Sequence, residues 1–436
     1  MYRKLAIATI VFILFIHLFN RTSATEECFA NINDFNDGYC QCEEKSSEVS
    51  CSINNVSSDH IFWDAFGNIT GFPTSITVNV IDFEVSYFPS SLFLNLPLTV
   101  EEVKLKGWSF ESIPEIPVAI ISQNKSSLRI LEITGNENLT AISSFAFSLI
   151  NSLHRLILSS NSLSNLTANS FNNLIKLRDL RLDNNKIVSL PEKIFKSLKH
   201  LGNLTLANNE ITSIRRETFT GLSSLVELDI NRNKLLIIKN DTFHEMRKLK
   251  SLDLTYNFID TIEQAAFRGL VALESLDLSD NQLRHLPNGV FEYTGNLTLV
   301  DLKDNLLTKL DFDLYKQLPK TTFMKDNPWV CDCSLYIHIE KIIEWNIHSK
   351  CQYYADFNEN GQAVKPVTML FKQFAEKIEK SPKKAEKCLE VMKTIGKRSH
   401  KVVNYTASKF IKSSSNQLMP FMSFIFIMLL LPGLDN

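Results

Sequence analysis

Apolar and polar positions recur along most of this chain with one long period. The segments LHRLILSSNSL from Leu153, LRDLRLDNNKI from Leu177, LGNLTLANNEI from Leu201, LVELDINRNKL from Leu225, LKSLDLTYNFI from Leu249 and LESLDLSDNQL from Leu273 start 24 residues apart. LRILEITGNENL from Leu128 and LTLVDLKDNLL from Leu297 keep the same frame. In each copy the L-x-L alternation predicts a short strand with one face turned inward. Weaker copies, ITVNVIDFEVSYFP from Ile76 and VEEVKLKGW from Val100, precede the clear ones.

Two further columns move with the leucines. One is Asn136, Asn161, Asn185, Asn209, Asn233, Asn257, Asn281 and Asn305; the other is Phe147, Phe171, Phe195, Phe219, Phe243, Phe267, Phe291 and then Tyr315. An asparagine after a strand turns the chain, and its amide supplies hydrogen bonds that a helix would make internally. The aromatic fills the wide side of each turn. One such turn cannot bury its own apolar face, whereas stacked turns can, so the three columns are read as scaffold.

The pattern L-x-x-L-x-L-x-x-N-x-L resembles the leucine-rich repeat. That resemblance implies an α/β repeat solenoid: a curved leucine-rich repeat horseshoe with short parallel strands on its concave face and disulfide-stapled caps. NPWVCDCSL from Asn327 is similar to the cysteine-rich C-terminal cap of extracellular members, with Trp329 covering the last core layer. The resemblance pairs Cys331 with Cys351 and Cys333 with Cys388. The early cysteines resemble the matching N-terminal cap, which pairs Cys28 with Cys42 and Cys40 with Cys51. Spacing by itself allows three pairings of each four. The layout is similar to surface adhesion proteins of the chaoptin and connectin type and to Toll-like receptor ectodomains.

The ends add an address. MYRK, the apolar run Leu5 to Phe19 and the small residues Thr22-Ser23-Ala24 read as a secretory signal peptide over 1–24. Near the other end, Ser413, Ser414 and Ser415 precede an apolar run from Leu418 to Leu431, as in a glycosylphosphatidylinositol (GPI) attachment signal whose tail is removed. A single spanning helix is the rival, although the run is shorter than a span requires. The expected organisation is a signal peptide over 1–24, an N-terminal cap over 25–74, about ten repeats over 75–318 (clearest over 128–318), a C-terminal cap over 319–390, a basic stalk over 391–415 and a hydrophobic anchor signal over 416–436. In VTMLFKQFAEKIEK, which begins at Val367, Leu370, Phe374 and Ile378 have helical spacing.

Composition is ordinary for a globular chain: 44% hydrophobic, 22% charged and net charge −2 over 436 residues, with nothing that points to nucleic acid. Eight clustered cysteines in an exported chain imply disulfides, and their Cys-x-Cys spacing does not suit zinc. Asn-x-Ser/Thr acceptors stand at Asn55, Asn68, Asn124, Asn138, Asn165, Asn203, Asn240, Asn296 and Asn404, implying a glycosylated surface.

Motifs for catalysis are missing: there is no G-x-S-x-G, H-E-x-x-H or phosphate-cradling glycine loop, and the nine histidines are dispersed. The reading is therefore a non-enzyme without a cofactor or a metal. Its function is expected on the exposed strand face, where the candidates are Arg155, Arg178, Arg181, Asp229, Arg232, Asp253, Tyr256, Asp277, Asp280 and Asp301. Basic residues recur in the early turns and acidic ones in the later turns, so the face is electrically polar along its length. Asn203 falls on a strand, where a glycan would obstruct the middle of the face. The expected partner is an extracellular or cell-surface protein. Homophilic and heterophilic binding stay open, as do a soluble innate-immune recognition protein and a matrix protein.

Overall fold

A computed structural model describes residues 29–30, 38–42, 48–53, 75–80, 101–114, 128–148, 150–311, 314–330, 350–353, 367–370 and 373. The chain divides into two compact units, one of residues 1–282 with 289–301, the other of 283–288 with 302–436.

The first unit is a stack of parallel strands. In order they are Glu48–Ile53, Ser75–Val80, Glu102–Lys106, Ile130–Thr134, Arg155–Ile157, Asp179–Arg181, Asn203–Thr205, Glu227–Asp229, Ser251–Asp253, Ser275–Asp277 and Leu299–Asp301. Each is hydrogen-bonded to the next, and the register is constant: Leu156, Leu180, Leu204, Leu228, Leu252 and Leu276 are successive partners. These leucines are 0–2% exposed, so each turn adds one layer to a continuous core. The strands of the expected N-terminal cap join this sheet. Gly38–Cys42 runs antiparallel to Glu48–Ile53 and places Cys40 opposite Cys51 in the backbone register.

The asparagine column closes each turn from inside. The Asn209 amide donates to the carbonyls of Leu182, Leu206 and Ala207 at 2.9–3.2 Å, while its Oδ1 accepts the Ile187 N–H at 3.0 Å. Asn185, Asn233, Asn257 and Asn281 repeat the arrangement. The phenylalanines form a stacked spine, with ring centroids 5.9–6.4 Å apart from Phe147 to Phe291.

Between asparagine and the next leucine the chain makes single turns, such as Leu198 N–H to Phe195 O and Met246 N–H to Phe243 O. Regular helix in the described repeats of the first unit is limited to the 3-10 turn Arg216–Phe219, so there the helical half of the expected α/β alternation is reduced to isolated turns.

In the second unit, Leu302 N–H donates to Phe323 O of the strand Thr321–Phe323, and a one-turn helix spans Leu314–Gln317. Asn327 acts as one more ladder asparagine, donating to Leu302 O at 2.8 Å and accepting the Leu307 N–H at 2.9 Å. Its spacing of 22 residues from Asn305 hid it inside the cap motif. Trp329 is 1% exposed and its indole N–H donates to Met324 O at 2.8 Å. One expectation is corrected. Val367–Leu370, the start of the stretch with helical spacing, is a strand antiparallel to Lys350–Tyr353, while Gln373 within the same stretch is helical. The β-branched pair Val367-Thr368 favours the extended chain, and pairing with a neighbouring strand outweighs the apolar spacing.

The signal and anchor segments, Cys28, Cys331, Cys333, Cys388, Asn55, Asn68, Asn124, Asn404 and Ser413–Ser415 lie outside the described residues, as do the side chains of Cys40, Cys42, Cys51 and Cys351.

Candidate functional site: the outward face of the parallel sheet

Strand alternation puts the residues on either side of each buried leucine outward. One outward column runs Ile130, Arg155, Asp179, Asn203, Glu227, Ser251, Ser275 and Leu299; the other runs Glu132, Ile157, Arg181, Thr205, Asp229, Asp253, Asp277 and Asp301. The scaffold columns scarcely vary from turn to turn, whereas these do.

The early turns hold an ion-paired group. Arg155 Nε lies 2.9 Å from Asp179 Oδ2, and Arg181 Nη2 lies 3.4 Å from the same oxygen. Arg129 pairs with Glu101 and Lys106 with Glu132, each at 3.5 Å. Arg178 is exposed and precedes the strand; its carbonyl accepts the N–H groups of Gly202 and Asn203. Asp179, which the pattern marks as outward, is not among the binding candidates read from the sequence, and the arginines cover it.

The later turns hold the acidic column. Asp229, Asp253, Asp277 and Asp301 are consecutive register partners, about 4.8 Å apart from strand to strand. Three of these carboxylates also serve their own turns: Asp229 accepts the Asn231 N–H at 3.0 Å, Asp253 the Thr255 N–H at 2.9 Å and Asp277 the Ser279 N–H at 2.9 Å. Burial pushes the Asp229 carboxyl above the usual range; the Asn231 hydrogen bond opposes this, and Asp253 and Asp183 add to it. Asp277 is raised likewise, by burial first, against hydrogen bonds from Ser279 and with Asp301 and Asp253 adding repulsion. Two cations beside the later strands are engaged elsewhere. Lys250 pairs with Glu274 at 2.7 Å, and Arg232 stacks over the Tyr256 ring at 4.3 Å.

Two placements differ from the expectation of an open strand position. Asp301 is 7% exposed, buried within its column. Arg232, Tyr256 and Asp280 sit past the three-residue strands, in the left-handed turn position with φ of 52–55°. There each turn bends toward its asparagine, and the N–H groups of Arg232 and Tyr256 donate to the next turn. They flank the face as corner residues.

Of the glycan acceptors, Asn138, Asn165, Asn203, Asn240 and Asn296 are described and all are exposed. Asn203 is the first residue of its strand and a register partner of Asp179. Among the described residues no group of three His, Cys, Asp or Glu side chains converges as a metal site, and no helix is long and apolar enough to cross a membrane.

The leucine rich repeat family matches at residues 126–187, 175–235, 223–283 and 272–325. Residues 126–325 are leucine-rich repeats. A comparison with curated protein sequences finds no significant match. Among solved structures, these leucine-rich repeats are similar to TLR13 in its complex with ssRNA13 (21% identity, TM-score 0.42, covering 63% of this chain and 45% of that one). They are similar too to the Toll–Spatzle complex of Drosophila (21%, TM-score 0.49, 66% and 42%) and to the Leptospira interrogans LRR protein LIC12759 (20%, TM-score 0.48, 66% and 72%). The chain spans less than half the length of the first two.

Proposed function

We propose that this chain is a cell-surface glycoprotein whose strand face recognises another protein, in cell adhesion or as a receptor or co-receptor. One observation carries the reading. A uniform internal ladder of leucine, asparagine and phenylalanine presents outward columns that change chemistry from turn to turn, basic and apolar early, acidic late. Such a surface recognises by complementarity over many turns and gathers no reacting groups at one point. The N- and C-terminal cysteines are proposed to staple caps, pairing as the family does. The chain is proposed to be held on the outer membrane by a GPI lipid, on the strength of the serines and apolar run near residues 413–431.

Mixing expressing with non-expressing cells tests the adhesion role. Aggregates of expressing cells alone indicate homophilic binding, and mixed aggregates indicate a heterophilic partner. No aggregation, together with no protease-sensitive binding of the soluble chain to any cell type, refutes protein recognition at the surface. Treatment with phosphatidylinositol-specific phospholipase C should release the chain; retention beside a released control protein refutes the lipid anchor.

A further inference from the structure

Asp179 stands in an outward column yet is 8% exposed, because Arg155 from the preceding turn and Arg181 from its own strand close over it. The two guanidinium side chains remain about half exposed, at 47% and 49%, against 12% for the Asp179 side chain. The carboxylate engages Nε of Arg155 and the Nε and Nη2 of Arg181. Both Nη groups of Arg155 and Nη1 of Arg181 contact no other described acceptor. One buried acid thus draws two guanidinium groups to it and leaves a local excess of one positive charge. Neutralising Asp179 would need a single arginine; the second adds donors that face solvent.

The surroundings narrow what those donors would meet. Register pairs Ile130 with Arg155 and Ile157 with Arg181, so a half-buried isoleucine lies beside each arginine. Arg178, exposed and without a described side-chain partner, borders the group. Asp183 accepts from Ser159 at 2.6 Å on the same side and limits the total positive charge. A sulfated polysaccharide needs a run of unneutralised cations, which this patch lacks. A carboxylate side chain with apolar neighbours suits a planar fork flanked by isoleucines.

We propose that Arg155 and Arg181, positioned by Asp179, bind a carboxylate side chain in an acidic, partly apolar segment of a partner protein. This rests on the strand face being a protein-recognition surface. Asn203 is the register partner of Asp179 on the C-terminal side, so a glycan there leaves approach open from the turns before residue 179.

The test uses the full chain from a secretory host and three probes: a fluorescent peptide alternating Glu and Leu, the same peptide with Gln for Glu, and heparin. The acidic peptide should bind and the Gln peptide should not. Arg155→Lys with Arg181→Lys keeps the charge but removes the forks, and should weaken peptide binding at least about tenfold. Asp179→Asn makes the patch more positive, so charge alone predicts tighter binding; a positioning role predicts weaker binding. Urea midpoints check folding, and if Asp179→Asn is unfolded the lysine pair still decides. Peptide binding that is absent, or unchanged in the lysine pair, overturns the proposal. So does peptide binding that tightens in a folded Asp179→Asn. Heparin binding that depends on the arginines without peptide binding overturns it in favour of a polysaccharide. Cell binding separates the two readings: equal binding by wild type and the lysine pair sinks the arginine site but keeps protein recognition. Arginine-dependent peptide binding without binding to any cell-surface protein does the reverse.

Discussion

Replacing Asn209 by alanine tests whether the ladder asparagines hold the turns. The residue is 7% exposed and its side chain makes four hydrogen bonds. Three of its partners are carbonyls that keep another donor: Leu182 O retains the Asn185 amide, Leu206 O the Asn233 amide and Ala207 O the Asn184 N–H. The fourth, the Ile187 N–H, has Asn209 Oδ1 as its acceptor and is buried. Stranding a buried donor costs about 1–3 kcal/mol, and the lost amide contacts and small void bring the total to about 2–4 kcal/mol. Urea unfolding should show that loss as a lower midpoint at similar slope, and hydrogen exchange should show faster exchange at the Ile187 amide in particular. Asn209→Asp keeps the acceptor but places charge against three carbonyl oxygens. It should be less stable than Asn209→Ala at neutral pH and recover as acid restores a donor to the carboxyl. A change under about 0.5 kcal/mol in Asn209→Ala, with Ile187 still protected, refutes the ladder argument.

Phe219→Ala removes a ring stacked at 6.4 and 5.9 Å on its neighbours and should cost about 3–5 kcal/mol in urea unfolding; a loss near 1 kcal/mol would show that the spine repacks. Gly269 has φ of +99° and an added Cβ would lie 2.3 Å from His244 O, whereas one at Gly295 meets nothing within 4 Å. Gly269→Ala should therefore destabilise by more than about 2 kcal/mol and Gly295→Ala by less than about 0.5 kcal/mol, with similar losses counting against the geometry. Asp229 and Asp277 have raised folded-state pKa values, so folding favours their protonated forms and wild type gains stability as pH falls through those values. Asp229→Asn with Asp277→Asn should lose nothing at pH 7 while wild type gains on it as the pH is lowered through the carboxyl titrations; an equal deficit at neutral and acid pH would refute this.

The scaffold was legible because each column has one chemistry and one spacing: leucine, asparagine and phenylalanine recur where the core, the turn and the spine need them. Legibility ended where contacts depend on reach between turns. Alternation marks Asp179 as outward, and only the arms of Arg155 and Arg181, one from the neighbouring turn, bury it. Arg232 and Tyr256 adopt left-handed turns without glycine or asparagine, since the next turn's carbonyls fix their N–H groups. Asn327 kept its chemistry but lost its spacing, and pattern reading follows spacing.

The face also constrains how a partner lies on it. Asp229, Asp253 and Asp277 each commit an oxygen to the N–H of their own turn, so the column is fixed by the scaffold rather than gathered around a ligand. Its charges still act at a distance: neighbouring carboxylates repel by about 0.9 kcal/mol in water, less with salt, and favour any cation laid along them. Two strand steps, roughly 10 Å, separate Arg181 from Asp229, with Asn203 and Thr205 between them. An acidic segment seated over Arg155 and Arg181 is repelled if it continues toward the column, and a basic segment is attracted there. A partner that touches both zones is therefore oriented as well as attracted. Reversing the charge of either zone alone should weaken binding, and transferring acid to the early turns and base to the late ones should reverse the preferred direction.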